Sequence, residues 1–151
     1  MPIAEPRPIM IVEDSDDDYE ATERALKKDG RLLNPLLRFE NGESALAYLL
    51  CGQPGADTLS PPIPSIILLD LNMPGGGGLL ALSRIKANEG LAHIPVIVLT
   101  TSDDETDIAK CYSAGANTYI KKPVQMENFV NAIQQLRDYW LDLAILPAEK
   151  T

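Results

Sequence analysis

The 151-residue chain is poor in aromatic side chains, histidine and cysteine. One Trp, two Phe and five Tyr mean that the core must be built mainly from aliphatic side chains. The single histidine, His93, cannot form the His/Cys ligand sets of zinc sites and is assigned no role. The two cysteines, Cys51 and Cys111, lie far apart and form no CxxC pair, which indicates reduced thiols rather than a disulfide framework.

Basic residues and long apolar runs are also scarce. Thirteen Lys and Arg against 22 Asp and Glu give a net charge of −9, which opposes non-specific binding to nucleic acid or to anionic membranes. No run approaches the ~18 apolar residues that span a bilayer, and the first 18 residues do not form a secretory signal. We therefore expect a cytoplasmic protein that binds neither nucleic acid nor membranes.

Short apolar runs alternate with amphipathic ones along the chain. The runs predict strands at 8–12, 35–39, 65–70, 94–102 and 116–120. The amphipathic segments predict helices at 16–28, 41–50, 78–90, 103–115 and 124–146, and the Pro/Gly-rich segment 51–64 predicts a surface linker. Because parallel strands need helical crossovers, this alternation predicts a doubly wound α/β fold in one domain.

Charged and hydroxyl side chains stand where the predicted strands end. Glu13 and Asp14 follow the first strand, Asp70 ends the third, Thr100 follows the fourth and Lys122 follows the fifth. In a parallel sheet these groups meet at one edge. Clustered carboxylates repel one another, and Mg²⁺ would stabilise them through oxygen ligands while keeping open positions for a phosphoryl group. The arrangement fits phosphoryl transfer to Asp70, with Lys122 and the metal holding the developing charge.

Four motifs together resemble those of the receiver domain of two-component response regulators: "IVEDS", "LLDLNMPG", "VIVLTTS" and "YIKKPV". The resemblance covers about residues 7–142, so we expect a single domain over 1–151 with a short tail at 143–151. It implies a flavodoxin-like five-stranded parallel sheet of order 2-1-3-4-5. It also implies that Asp70 is the phosphoacceptor.

The resemblance implies roles for the neighbouring residues. Asp14 matches the carboxylate that binds Mg²⁺ directly, Glu13 its water-mediated neighbour, and Asn72 the residue whose backbone carbonyl binds the metal. Lys122 matches the lysine that pairs with the phosphate. Thr100 and Tyr119 match the switch pair, whose hydroxyl moves toward the phosphate while the aromatic ring turns inward. The bond from Lys122 to Pro123 is usually cis in the family.

A narrower resemblance concerns the partners. "GANTYIKKPV" and the ending "FVNAIQQLRDYWLDLAILP" are similar to stand-alone receivers that pair with bacterial and cyanobacterial phytochrome kinases. This implies phosphorylation of Asp70 by a sensor histidine kinase, a phytochrome, and a change in a partner-binding face. With no fused output domain expected, the signal would pass by protein binding or by onward phosphotransfer.

Several sequence features depart from the receiver pattern or are explained by structure alone. Gly77-Gly78 replaces the family's Asp-Gly, and the glycine run that begins at Gly75 is expected to delay the third helix. Residues 16–18 are interpreted as a solvated acidic helix cap, and Lys121 as a surface residue.

The last helix carries more apolar residues than one face needs. Its stripe of core residues comprises Met126, Phe129, Val130, Ile133, Leu136 and Trp140. Tyr139, Leu141, Leu143 and Ile145 exceed that stripe. Surplus apolar surface often marks an interface, so we expect a homodimer through the last helix and the fifth strand.

Two alternatives remain open from the sequence. A haloacid-dehalogenase-like phosphatase also uses an aspartate at a strand end with Mg²⁺, but it needs a second Asp where Asn72 stands. A flavodoxin-like cofactor binder needs a Gly/Ser/Thr loop after the first strand, and here that loop is acidic.

Overall fold

A computed structural model of the protein describes residues 6–30, 32–51, 62–73 and 77–143. Its five strands form one sheet in the order β2-β1-β3-β4-β5, with every neighbouring pair parallel. The strands are β1 Ile9–Val12, β2 Leu36–Phe39, β3 Ile66–Asp70, β4 Val96–Thr100 and β5 Thr118–Lys121. The predicted doubly wound sheet and its strand order are confirmed. Most of the predicted linker, Gly75 and Gly76 of the glycine run, Ile145 and the end of the tail lie outside the described residues.

Five α-helices cover the two faces of the sheet: α1 Asp16–Lys27, α2 Gly42–Cys51, α3 Gly77–Ala87, α4 Glu105–Ser113 and α5 Met126–Arg137. Helix α1 begins where the Ser15 side chain accepts the Asp18 N–H. Acids fill its first turn and Arg24 and Lys27 its last, which matches the helix dipole. Within the described residues, no helix has the length and apolar character that a membrane crossing requires.

Alternate residues of the central strands face opposite helical layers. Met10, Val12, Ile67 and Leu69 pack with the buried side chains of α2, α3 and α4. The intervening residues of β1, β3 and β4 pack with α1 and α5. All residues of these three strands are buried, since a parallel sheet with helices on both sides leaves neither face in water.

The register of the strands brings their carboxyl ends to one place. Val12 lies beside Leu69, Asp70 beside Leu99 and Thr100 beside Lys121. We call this side of the sheet, where residues 13, 70, 100 and 122 emerge, the carboxyl edge. The fold therefore gathers at one edge the polar residues that the sequence placed at the strand ends.

The sequence predicts that the glycine run delays α3. This prediction is wrong, since the helix already begins at Gly77. A Cβ at Gly78 would lie 2.7 Å from the carbonyl oxygen of Asp70, so only glycine lets α3 start this close to the carboxyl edge. A Cβ at Gly77 would meet nothing nearer than 3.7 Å. Close packing thus offsets the low helix propensity of glycine at this point.

The last helix differs from its prediction in two respects. At Asp138 the α-helix gives way to a π-helical segment that ends at Leu143. Apolar residues spaced three and four apart do not reveal this change, because they predict an α-helix throughout. Met126, predicted in the core stripe, is 58% exposed because it stands at the first helical position. Phe129, Ile133 and Leu136 are buried in the core as predicted, and they pack with the buried residues of α1.

Arg137 is a buried arginine that the sequence did not single out. Its Nη1 donates to the carbonyl of Lys28 at 2.9 Å and to that of Leu26 at 3.3 Å, where α1 ends. A helix leaves its last carbonyls without intrahelical partners, and the guanidinium satisfies two of them. Arg137 therefore joins α5 to the end of α1 and has a structural role.

Candidate functional site

The loop after β1 presents two acids with different surroundings. Glu13 is buried, and its N–H donates to the carbonyl of Phe39 at 2.9 Å. The guanidinium of Arg38 donates twice to the Glu13 carbonyl, at 3.3 Å each, which fixes this loop on β2. Asp14, one residue further on, is exposed. One acid is thus held inside the site and the other faces solvent.

Asp70 ends the buried strand β3 and is itself buried. Its Oδ1 accepts the backbone N–H of Asn72 at 2.9 Å, so the carboxylate is oriented by its own loop. The side-chain amide of Asn72 donates to Thr101 Oγ1 at 2.5 Å. This contact joins the loop after β3 to the loop after β4 beside the site.

Carboxylate oxygens of Glu13, Asp14 and Asp70 all lie within 4.8 Å of one another. We call these three residues the acidic cluster. Hard divalent cations prefer such oxygen donors, and an exposed member leaves room for metal-bound water. The donor set therefore fits a hard cation, as predicted for a metal site at the carboxyl edge.

Lys122 supplies the positive charge that faces this cluster. Its side chain is 6% exposed. Its Nζ donates to Glu13 Oε1 at 2.6 Å, to Asp18 Oδ2 at 2.9 Å and to Asp70 Oδ2 at 3.3 Å. An ammonium has three N–H donors, and all three find carboxylate acceptors here.

Burial and the neighbouring charged groups shift the pKa values of Glu13 and Lys122. Burial, followed by hydrogen bonding and repulsion from Asp70, raises the pKa of Glu13 from 4.5 to about 7, although Lys122 lowers it. Burial would lower the pKa of Lys122, but its hydrogen bonds with Glu13 and Asp18 and the nearby negative charges outweigh burial and raise that pKa. Lys122 therefore stays protonated, whereas Glu13 titrates near neutrality.

Two expectations from the sequence need correction here. Asp18 is not simply a solvated cap residue, because its carboxylate is an ion-pair partner of the buried Lys122. Asp16 and Asp17 are exposed, as expected. The described residues contain no cis peptide bond, so the bond between Lys122 and Pro123 is trans, the isomer that X-Pro bonds favour by about 0.5–1 kcal/mol. Lys122 reaches the carboxylates with this isomer.

The two predicted switch residues share one neighbour. Thr100 is fully buried, and its Oγ1 accepts the N–H of Ser102 at 3.3 Å. The hydroxyl of Tyr119 donates to the carbonyl of Ser102 at 2.8 Å. Sequence reasoning missed Ser102, whose connection to both residues depends on the shape of the loop after β4. Lys121 is half-exposed and pairs with Asp103, in agreement with its predicted surface position.

The sequence and the fold match those of known signalling proteins. The sequence profile of the response regulator receiver domain matches residues 9–134. The chain belongs to the response regulator receiver domain family. A receiver is a phosphoacceptor of two-component signalling and not a classical enzyme. This confirms the function predicted from the sequence, a response regulator receiver with an acidic pocket for phosphorylation.

Similar relatives of this chain include phytochrome-associated response regulators. The response regulator Rcp1 of Synechocystis sp. is 35% identical over 143 residues, which are 95% of each chain. The phosphorylated cyanobacterial phytochrome response regulator RcpA has a similar solved structure, with a TM-score of 0.84, 32% identity, and coverage of 95% of this chain and 99% of that one. The Mn²⁺-bound form of Rcp1 also gives a TM-score of 0.84, at 34% identity, over 95% of this chain and 100% of that one.

The raised pKa of Glu13 predicts an unusual dependence of stability on pH. Between its ordinary pKa of 4.5 and its folded value of about 7, the folded receiver binds more protons than the unfolded chain. The free energy of unfolding of the metal-free protein should therefore fall as pH rises through this window, by about 3 kcal/mol at most. Lys122 adds no dependence there because it stays protonated in both states. Denaturant titrations in a chelator at a series of pH values measure the fall.

Added Mg²⁺ should reverse this loss, and should stabilise the protein more above neutrality than in acid, since a cation binds the ionised carboxylates. The control is Asp70→Asn, which removes a hydrogen bond and a charge that raise the pKa of Glu13. Its metal-free profile should be flatter. A wild-type profile without a fall, or an equal fall in Asp70→Asn, would contradict this account of the site.

Proposed function

We propose that Asp70 accepts a phosphoryl group from a sensor histidine kinase. The observation that carries the proposal is the approach of the Lys122 ammonium to within 3.3 Å of Asp70 Oδ2 beside the acidic cluster. A buried aspartate with a lysine and further carboxylates around it supports phosphoryl transfer, in which positioning and charge stabilisation carry the catalysis.

In the proposed reaction a carboxylate oxygen of Asp70 attacks the phosphorus of a phosphohistidine in line. A new P–O bond forms, the P–N bond breaks, and the imidazole leaves with the electron pair. Lys122 and the Thr100 hydroxyl would turn from their present partners to donate to the phosphoryl oxygens. A bound Mg²⁺, with Glu13, Asp14, Asp70 and the Asn72 backbone carbonyl as its proposed ligands, would supply positive charge for those oxygens.

The same groups are proposed to assist the later loss of the phosphoryl group. Hydrolysis passes through a similarly charged transition state, with water as the attacking nucleophile. The receiver would thus assist its own phosphorylation and dephosphorylation while the kinase supplies the phosphoryl group.

We further propose that Ser102 couples the two switch residues. If Thr100 Oγ1 turns to a phosphoryl oxygen, the Ser102 N–H loses its 3.3 Å acceptor. Movement of this loop would carry with it the carbonyl that accepts the Tyr119 hydroxyl at 2.8 Å. Phosphorylation would in this way shift an existing equilibrium of the face formed by α4, β5 and α5.

The relatives support a proposal for the partner. RcpA is described as a phytochrome response regulator, and we propose that a phytochrome kinase phosphorylates this chain too. The phosphorylated form would act by binding a downstream protein or by passing the phosphoryl group on. We also propose that residues 1–151 form one receiver domain, with its core at about 7–142.

The test of the phosphoacceptor is direct. Incubated with Mg²⁺ and a phosphorylated phytochrome kinase, the wild type should gain one phosphoryl group, seen by intact-protein mass spectrometry. Asp70→Asn should gain none, because an amide oxygen cannot form a stable acyl phosphate. The control Asp103→Asn alters an exposed acid paired with Lys121 and should behave as wild type. Labelling of Asp70→Asn at the wild-type level would refute the role of Asp70.

Family membership favours this proposal over the two alternatives. A haloacid-dehalogenase-like phosphatase would turn over a generic phosphate ester, and we expect no turnover. A flavodoxin-like cofactor binder would purify with a coloured cofactor, and we expect a colourless protein. The acidic loop at Glu13 and Asp14 offers charge repulsion rather than donors to a cofactor phosphate.

We also propose a homodimer through β5 and α5. A groove of about 530 Å³ lies there, lined by Asn117, Thr118, Ile120, Ala132, Gln135, Leu136, Tyr139 and Trp140. Tyr139 is 53% exposed and stacks edge-on with Trp140. The Tyr112 hydroxyl already accepts the Tyr119 N–H at 3.1 Å, so a second copy would bind through side chains in the groove and not by adding a strand.

The dimer predicts that Tyr139→Asp lowers the mass measured by light scattering at tens of micromolar from that of two chains to that of one. Buried charge without a partner is costly, which is the reason for the expected loss. Leu80→Asp is the matched control, since Leu80 is equally exposed but lies on α3. A wild-type mass of one chain, or equal effects of both variants, would remove the proposal.

A further inference from the structure

Asp18 touches the site without belonging to the acidic cluster. Its Oδ2 lies 2.9 Å from Lys122 Nζ, closer than Asp70 Oδ2 at 3.3 Å. The Ser15 side chain accepts the Asp18 N–H, and the Asp18 carbonyl accepts the Thr22 hydroxyl, which fixes this residue in the first turn of α1. The metal-site geometry does not require Asp18, so its contact with the buried lysine calls for another explanation.

The three acceptors of Lys122 are not equivalent. Glu13 and Asp70 are buried members of the acidic cluster, whereas the Asp18 side chain is 42% exposed. All three N–H donors of Lys122 are engaged before any phosphoryl group arrives. A phosphoryl oxygen can therefore take a donor from Lys122 only if one carboxylate gives it up.

We propose that Asp18 is a positioning residue that holds the Lys122 ammonium on the α1 side and competes with the incoming phosphoryl group for it. Asp18 thereby slows phosphorylation by small anionic donors. This inference rests on the proposed role of Asp70 as phosphoacceptor. Asp18 acts through Lys122 and is not one of the proposed metal ligands.

The test compares four proteins with acetyl phosphate and Mg²⁺. Asp18→Asn keeps the shape of the side chain and removes its charge, and its phosphorylation rate should rise about threefold, the scale of a half-exposed ion pair. Asp18→Glu keeps the charge and should return to the wild-type rate. Asp17→Asn, the matched control, removes an exposed acid from the same helical turn and should also keep the wild-type rate.

A spectroscopic readout separates positioning from a helix-stability role. The Lys122 ammonium should give a slowly exchanging ¹H–¹⁵N signal in wild type and Asp17→Asn, and a weakened signal in Asp18→Asn. An unchanged rate in Asp18→Asn, or an equal rise in Asp17→Asn, overturns the proposal. If the wild type is not labelled, or Asp70→Asn is labelled equally, the proposed function fails and this inference falls with it. Normal wild-type labelling with an unchanged Asp18→Asn rate removes this inference alone.

Discussion

The site depends on the ion pairs that the Lys122 ammonium forms with three carboxylates. Glu13 and Asp70 are buried acids at neighbouring strand ends, and together with Asp18 they place three carboxylates within 3.3 Å of one nitrogen. Like charges in a partly buried site repel strongly, and removing one member of a buried pair typically costs about 3–5 kcal/mol. The lysine lets these acids coexist in the folded protein, and a cation bound at the acidic cluster would complete the compensation. In the proposed function, one of these acids, Asp70, receives the phosphoryl group.

The fold explains why residues so distant in the chain meet. Parallel strands linked by helical crossovers all end on the same side of the sheet, so one polar residue after each strand is enough to build a site. Close contacts hold these ends in place: the Arg38 guanidinium on the Glu13 carbonyl, the Asn72 N–H on Asp70, and Gly78 packed against the Asp70 carbonyl. Ser102 extends the network to Thr100 and Tyr119. These contacts join the loop after β3 to the loop after β4, and that loop to β5.

Sequence reasoning succeeded where local patterns decide the structure. Apolar runs bounded by polar strand ends predicted the five strands and placed Glu13, Asp14 and Asp70 at one edge, and the resemblance to receivers supplied the strand order. Prediction from the sequence failed where three-dimensional packing decides the surroundings of a side chain. Asp18 looked like one of three equivalent helix-cap acids, and only the position of α1 against β5 distinguishes it. Arg137 drew no prediction, because the helical spacing of α5 does not show that its side chain reaches the end of α1. That spacing showed neither the exposure of Met126 nor the π-helical segment after Arg137.

The most direct measurement of the central claim is the affinity for Mg²⁺ of the wild type and of Lys122→Gln, by calorimetric titration at neutral pH, with circular dichroism confirming that the variant is folded. If the ammonium neutralises the carboxylates, its removal leaves more negative charge for the cation, and Lys122→Gln should bind Mg²⁺ more tightly than the wild type. Equal or weaker binding by folded Lys122→Gln would contradict the account of a carboxylate site balanced by one lysine.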